Sequence, residues 1–188
     1  MQTFTGRIYF PADPKPEHLN LLDISHHLSM LCRFTGATRE FYSVAEHSVH
    51  VSMVVPKEHA FTALLHDATE AYIADINRPV KVEMPDYKRI EQANWRALCQ
   101  RYGLPDIMPD CVKQADTEVL VAEMAKLMPK RKSDNDGGMW FPGVVAAPVK
   151  IRALSPNRAR YLFWHRLAEL RPDLYENEVL NEWEAMQL

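Results

Sequence analysis

The sequence predicts an all-α fold, and three observations indicate it. Most of the chain carries apolar residues at helical spacing, whereas strand signals are weak. Helix-start signals precede these segments, as in the capping-box spacing of Ser43 and Glu46 and in the Ser155-Pro156 pair. The sequence contains neither internal repeats nor low-complexity tracts, so we expect one helical domain over 1–188.

The same signals predict the elements in order. Residues 1–20 form a Pro-containing lead-in with one short extended piece. Apolar spacing then predicts helices over 21–34, 44–55, 57–75, 86–102, 110–128, 156–170 and 176–186. Between 130 and 155 the helical period is lost, which predicts a long loop before the C-terminal helices. Loops of this length either cover a site or are plain insertions, and we slightly favour the insertion over a lid.

Composition excludes several classes of protein. The formal net charge of −3 gives no electrostatic footprint for duplex nucleic acid. Cys32, Cys99 and Cys111 are odd in number and lie in apolar helical patterns, which favours buried reduced thiols over disulfides. The chain has neither an apolar run of about 20 residues for a membrane nor an N-terminal secretion pattern. We therefore expect a cytoplasmic protein with no membrane partner.

The pair His66-Asp67 is the most informative motif of the chain. His47 precedes it by one predicted helix, and Asp116 follows in a later one. Adjacent helical residues point about 100° apart, so an ion between His66 and Asp67 needs further ligands from neighbouring helices. Two nitrogens and two oxygens suit one divalent ion per site, whether cobalt, manganese, zinc, iron or magnesium, with positions left for water and substrate. This pattern predicts a hydrolytic metal site.

Charged residues near these ligands predict the rest of the site. Glu70 follows His66 by four positions and shares its helix face, which makes it the candidate general acid or base. Lys113 lies one helical turn before Asp116, and Lys81 and Arg33 could extend a positive lining. A cation beside a metal-bound phosphate disperses the charge that develops in the transition state.

In its order of motifs the chain resembles the HD-domain metal phosphohydrolases. The segments LLHDATEAYIADINRPVK and DISHHLSMLCRFTGATREFYSVAEHS resemble a small nucleotidase subgroup, the bacterial HD-type 5'-deoxynucleotidases and phage deoxynucleoside triphosphohydrolases. The likeness covers roughly 5–123. It implies an all-helical HD bundle with its metal-site core at about 21–128, a deoxynucleotide substrate, and a homo-oligomer of two or more subunits.

Carried over residue by residue, the resemblance assigns roles to named positions. It implies that the four metal ligands are His47, His66, Asp67 and Asp116, and that Glu70 is catalytic. Asp75 becomes a polar group near the sugar or the attacking water. Arg33, followed by Phe34 where the best-known deoxynucleotidase has Trp, becomes substrate-binding; the Phe changes the surface that would exclude a ribose 2'-hydroxyl.

Three functions follow as expectations. The first is a 5'-deoxynucleotidase, which converts a deoxynucleoside monophosphate to deoxynucleoside and phosphate. The second is a triphosphohydrolase on the same metal site, which releases triphosphate from deoxynucleoside triphosphates; the resemblance implies it, and some of the similar phage enzymes prefer dATP. The third is a non-catalytic nucleotide-sensing module, which the presence of Glu70 disfavours.

Overall fold

The computed structural model describes residues 1–129 and 141–187, and this part of the chain is helical. Its extended pairings are two isolated bridges, Gln2 with Ile8 and Cys32 with Ser43, and the described residues form no sheet. The predicted all-α class is therefore confirmed. None of the described helices combines the length and the apolar character that crossing a membrane requires.

The described residues form ten α-helical segments, α1 to α10 in chain order. They are α1 Leu21–Met30, α2 Val44–Val54, α3 Ala60–Leu64, α4 Glu70–Ile73, α5 Arg78–Val82, α6 Pro85–Tyr102, α7 Asp110–Leu127, α8 Pro156–Leu170, α9 Pro172–Leu174 and α10 Asn181–Ala185. Short 3₁₀ turns cover Pro16–His18, Arg33–Gly36 and Lys57–His59, and a π-helical segment covers Tyr175–Leu180.

Four long helices, α2, α6, α7 and α8, agree closely with the predicted ranges. The hydroxyl of Ser43 accepts a hydrogen bond from the Glu46 amide at 3.1 Å, which is the expected N-cap of α2. Gly103 ends α6 with a φ of 68°, a left-handed conformation that glycine adopts without a Cβ penalty. Local start and stop signals were sufficient for these elements.

The first helix ends earlier than the predicted boundary at 34. After Met30 the chain becomes extended, and the Arg33 amide donates to the Tyr42 carbonyl at 2.9 Å. Phe34 follows with a φ of 56°. Cys32, which lies in this extended stretch, is exposed, so the expectation that all three cysteines are buried was wrong. The backbone groups that would continue the helix form hydrogen bonds with the segment before α2 instead.

The prediction of one continuous helix over 57–75 was also wrong, because turns interrupt this segment before α3 and between α3 and α4. In the second turn, residues 65–69, His66 Nδ1 donates to the Ala63 carbonyl at 2.7 Å. The Glu70 amide bonds to the Asp67 carbonyl three residues back, at 3.0 Å, instead of four back. This tighter winding replaces the α-helical pattern at the His-Asp pair.

The C-terminal part begins sooner than predicted, because helical structure resumes at Pro172 and continues through the π segment to α10. Residues 141–155 are irregular, as expected of a loop, while 130–140 lie outside the described residues, and with them part of the predicted loop. The Glu46 carboxylate accepts bonds from the amides of Arg152 and Leu154 at 2.9 and 2.7 Å. The described part of the loop is thereby fixed to α2.

Two apolar clusters position the helices that carry the candidate site. The main core lies between α1, α2 and α8, with fully buried Leu22, Leu28 and Phe163 among its members. A second cluster joins α2, α3 and α7 through Val51, Ala63, Val112, Ala115 and Val119. Burial of these side chains stabilises the docking of α7 on α2, which brings Asp116 toward His47.

Replacement of Asn94 by Ala should destabilise the fold. The buried Asn94 amide accepts from Tyr9 Oη at 2.6 Å and donates to the Pro11 carbonyl at 2.8 Å, so it ties the N-terminal lead-in to α6. Loss of these partners should lower the free energy of unfolding by about 1–3 kcal/mol, measured by urea denaturation. The control is Asn177→Ala, whose exposed amide donates to Asp173 within the C-terminal helices. Equal effects of the two variants would contradict this account.

Candidate metal centre

Three side chains from two parts of the fold form one cluster, and a fourth, from a third part, lies beside its two imidazoles. His47 lies on α2, His66 and Asp67 in the 65–69 turn, and Asp116 on α7. Ligand atoms of His47, His66 and Asp67 all lie within 4.8 Å of one another. Asp116 Oδ1 lies 3.1 Å from His47 Nε2 and 3.9 Å from His66 Nε2. All four predicted ligands are thus brought together.

Hydrogen bonds on the far side of each imidazole orient its free nitrogen into the centre. His47 Nδ1 donates to Glu123 Oε1 at 2.7 Å, and His66 Nδ1 donates to the Ala63 carbonyl at 2.7 Å. The two Nε2 atoms therefore face each other, 3.3 Å apart. Two lone pairs at this separation repel unless a proton or a cation lies between them. A second hydrogen bond that fixes the tautomer is the usual arrangement of a metal-binding histidine.

The separations between donor atoms fit the size of a divalent ion. Metal bonds of about 2.0–2.2 Å place neighbouring ligand atoms about 3.0–3.6 Å apart. Asp67 Oδ2 lies 3.2 Å from His66 Nε2 and 3.6 Å from His47 Nε2. The His47 side chain is fully buried, whereas that of Asp116 is 42% exposed, so the centre opens to solvent on the α7 side. The His-His-Asp cluster could therefore hold a metal ion that solvent can reach.

Glu123 is a component of the site that sequence reasoning missed. Its fully buried carboxylate accepts bonds from His47 Nδ1, from Tyr42 Oη at 2.8 Å, and from Arg33 Nε at 3.1 Å. It follows Asp116 by seven positions on α7, which is two helical turns along the same face. This spacing was the sequence feature that could have pointed to Glu123. It is a weak one, because a glutamate on such a helix face is usually solvated.

Arg33 extends the centre on the side of Asp67. Its guanidinium is braced by Glu123, and Nη1 lies 3.6 Å from Asp67 Oδ2. Phe34 is half-buried beside it, with the guanidinium 5.5 Å from the ring centroid. Both residues come from the turn after α1, in which Phe34 has a positive φ. A cation thus stands next to the ligand cluster, as predicted.

The carboxylates around the imidazoles favour positive charge there. Burial and Arg33 lower the pKa of His47, but Glu123 and Asp116 outweigh them and raise it to about 9. Burial raises the pKa of Asp67, but His66 and His47 outweigh burial and bring this pKa well below its ordinary value. Either a proton on the imidazoles or a divalent ion between them would supply the positive charge that these carboxylates favour.

Glu70 and Asp75 differ from the ligand carboxylates because their pKa values are raised. Glu70 is buried, and within the described residues its Oε2 has no hydrogen-bond partner. Burial, together with Asp67 and Asp75, raises the pKa of Glu70 well above its ordinary value. Burial raises that of the half-buried Asp75 as well, with Asp67 adding to the effect. Both carboxyl groups hold protons at a higher pH than exposed ones do.

The two predicted lysines lie in different surroundings. Lys81 on α5 pairs with Glu91, and its ammonium lies 5.5 Å from the Tyr87 ring centroid. It lies close enough to Glu70 and Asp75 to lower the pKa of each. Lys113 is instead more than half exposed and pairs with Asp110 at 2.9 Å, so its ammonium points back along α7. Its contact with a bound anion stays a prediction.

Replacement of Glu123 by Gln should weaken divalent-metal binding. The amide cannot carry the negative charge that holds the His47 tautomer and Arg33, and loss of such an outer partner typically costs 10- to 100-fold in affinity, on the order of 1–3 kcal/mol. Calorimetric titration with Mn²⁺ or Co²⁺ measures the change. The control is Glu118→Gln on the same helix, where Glu118 accepts a bond from Gln114. Unchanged affinity in the Glu123 variant would contradict the role assigned to it.

Replacement of Glu70 by Gln should stabilise the metal-free protein at alkaline pH. Because the pKa of Glu70 is raised on folding, wild-type stability is lost as the pH rises from the ordinary value of 4.5 through the folded pKa. Gln does not ionise, so its thermal midpoint should exceed that of wild type by about 3 °C or more at pH 8 and by little at pH 4. Scanning calorimetry in chelator measures it, with Glu58→Gln on the surface as the control. A pH-independent difference would argue against the raised pKa.

The chain is similar to the uncharacterized protein YfdR of Escherichia coli, at 39% identity over 177 residues that cover 91% of this chain and 97% of the relative. It is also similar to an uncharacterized protein of Rhodobacter capsulatus, at 33% identity over 178 residues that cover 86% of this chain and 90% of the relative. No family model matches the chain. Because the likeness to both relatives runs over nearly their whole length, the chain belongs to the same family as YfdR.

Proposed function

We propose that this protein is a metal-dependent phosphohydrolase of the HD type, which removes phosphate from deoxynucleoside 5'-monophosphates. One observation carries the proposal. Two imidazole Nε2 atoms, 3.3 Å apart with their Nδ1 atoms engaged, face the carboxylates of Asp67 and Asp116 at a solvent-open edge. The deoxynucleotide substrate comes from the resemblance of the Arg33 and HDATE segments to the small nucleotidases.

The donor set fits one divalent ion held by His47, His66, Asp67 and Asp116. A divalent ion in such a site supplies Lewis acidity, which polarises a phosphoryl group and makes water a better nucleophile near neutral pH. Mixed nitrogen and oxygen donors accept cobalt, manganese, zinc, iron or magnesium, and availability in the cell decides among them.

Arg33 is suited to bind the phosphate. Its guanidinium is 11% exposed and fixed by the fully buried Glu123, so little conformational entropy is lost when it meets an anion. The Nη1 atom lies on the Asp67 side of the cluster and can donate to a phosphate oxygen. As negative charge builds on the phosphoryl oxygens, this fixed cation stabilises it.

Glu70 and Asp75 are suited to move protons. The buried Glu70 carboxyl has a raised pKa and a free oxygen within the described structure, so it can protonate the leaving 5'-oxygen of the deoxynucleoside. Asp75, half-buried and also with a raised pKa, can accept a proton from the attacking water or bind the sugar. Lys81 lies near both carboxyl groups and, when its pairing with Glu91 loosens, offers a second cation to the phosphate.

The arrangement of cations favours a monophosphate over a triphosphate. Arg33, although paired with Glu123, is fixed beside the cluster, whereas Lys81 and Lys113 are held by Glu91 and Asp110. A triphosphate carries more charge than this lining offsets, so triphosphohydrolysis is the second candidate. The homo-oligomer and the cytoplasmic location that the sequence predicts bear on neither reaction.

Purified protein supplied with a divalent metal should release inorganic phosphate from at least one deoxynucleoside monophosphate. A panel of nucleotides with Mn²⁺, Co²⁺, Zn²⁺ or Mg²⁺, analysed for phosphate and triphosphate by ion chromatography, measures the activity. Glu70→Gln should lower kcat at least about 100-fold because a general acid or base is lost. Glu58→Gln, a surface carboxylate, should leave it unchanged.

Other outcomes of this panel decide between the alternatives. Triphosphate released from deoxynucleoside triphosphates, with no phosphate from any monophosphate, would replace the proposal by the second reaction. If wild type and Glu70→Ala were equally inert on every nucleotide while still binding metal, a nucleotide-sensing role would replace both.

A further inference from the structure

A shallow depression of about 290 Å³ adjoins the metal centre. His66 and Thr69 form one side, Gln92 and Trp95 on α6 form another, and Asp106 and Met108 of the α6–α7 connection complete it. His66 belongs to both the depression and the ligand cluster. The depression and the ligand cluster therefore meet at His66, the residue that they share.

We propose that the depression is the subsite for the nucleobase, and that Trp95 binds the base by stacking. This inference rests on the proposed function, because it takes the deoxynucleotide as the substrate. It assigns a specificity-determining role to a residue outside the HD motif segments. The volume lies at the lower end of the range of about 300–1,000 Å³ for small-molecule sites, which suits the base and sugar of one mononucleotide.

Trp95 is held rigidly enough to serve as a stacking platform. Its indole Nε1 donates to the Asp106 carbonyl at 3.0 Å, and its half-buried ring packs against the edge of the main core. Two sides of the ring are thereby fixed while part of it lines the depression. A fixed aromatic surface loses little entropy on binding, and every base presents a π face to it.

The charges of the depression favour a neutral heterocycle over a second phosphate. Lys88 lines it together with Glu91 and Asp106, so the two acidic residues outnumber the one basic residue in this lining. Glu91 is paired with Lys81, whose ammonium partly neutralises the Glu91 carboxylate. The Gln92 amide and the Thr69 hydroxyl can pair with base edges, whose donors and acceptors are uncharged.

A second depression, of about 350 Å³, lies at Arg152, Arg158, Tyr161 and His165. It is more basic, but it shares no lining residue with the metal centre or with the first depression. Its exposed Tyr161 provides a matched aromatic control for Trp95.

The test compares substrates with and without a base. In metal-loaded protein, Trp95→Leu should raise KM for a deoxynucleoside monophosphate about 10-fold or more, because the stacking surface is lost while the position stays apolar. The KM for 2-deoxyribose 5-phosphate, which has no base, should not change. Trp95→Phe should restore most of the nucleotide affinity, and Tyr161→Ala should leave both substrates unaffected. Equal effects of Trp95→Leu on both substrates would overturn the inference.

A binding experiment separates this inference from the proposed reaction. Saturation-transfer NMR with unphosphorylated deoxynucleosides should show contact with metal-loaded wild type, and the signal should be lost in Trp95→Leu and kept in Trp95→Phe. If wild type hydrolyses no nucleotide but binds deoxynucleosides in this Trp95-dependent way, the reaction falls and the subsite stands. If hydrolysis occurs and Trp95→Leu changes neither KM nor binding, the subsite falls alone.

Discussion

The buried carboxylate of Glu123 is the interaction on which the geometry of the site depends. It joins the Tyr42 hydroxyl, the His47 imidazole and the Arg33 guanidinium, all of which are distant from it in the chain. A charge taken out of water is stable only when it is paired and hydrogen-bonded, and here three donors surround it. Burial raises the pKa of Glu123, but Arg33 and His47 outweigh that effect and keep it below its ordinary value. The same bonds direct His47 Nε2 and Arg33 into the centre.

The interruption between α3 and α4 solves a geometric problem. Neighbouring side chains on an unbroken α-helix diverge by about 100°, so His66 and Asp67 would meet at one ion only off the helix edge. In the 65–69 turn the His66 ring donates a hydrogen bond to the Ala63 carbonyl, and the backbone winds more tightly than in an α-helix. Asp67 Oδ2 then approaches His66 Nε2 to 3.2 Å. The α-helical pattern is thus lost where the two candidate donors approach each other, and departures from regular structure are common at functional sites.

Carboxyl groups of two kinds meet at this centre, and their surroundings separate them. Asp67 and Asp116 contact imidazoles, which outweigh desolvation and lower the pKa of both carboxyl groups, so they are anions suited to a cation. Burial raises the pKa of Glu70, and no described residue pairs with its Oε2. Groups with opposite shifts, side by side, are the usual arrangement where one set binds and the other transfers protons.

The sequence by itself determined the helical class and the ends of the long helices, and it predicted the four candidate donors His47, His66, Asp67 and Asp116. Capping residues, helix breakers and donor chemistry are local properties, so they can be read from spacing alone. Glu123, the break at 65–69, the early end of α1 and the pairing of Lys113 with Asp110 were decided only by the tertiary structure. Each depends on partners distant in the chain or on competition between a side chain and the backbone for one hydrogen bond. From the sequence Trp95 is an ordinary apolar residue of α6, and only the tertiary structure places it in the same depression as His66.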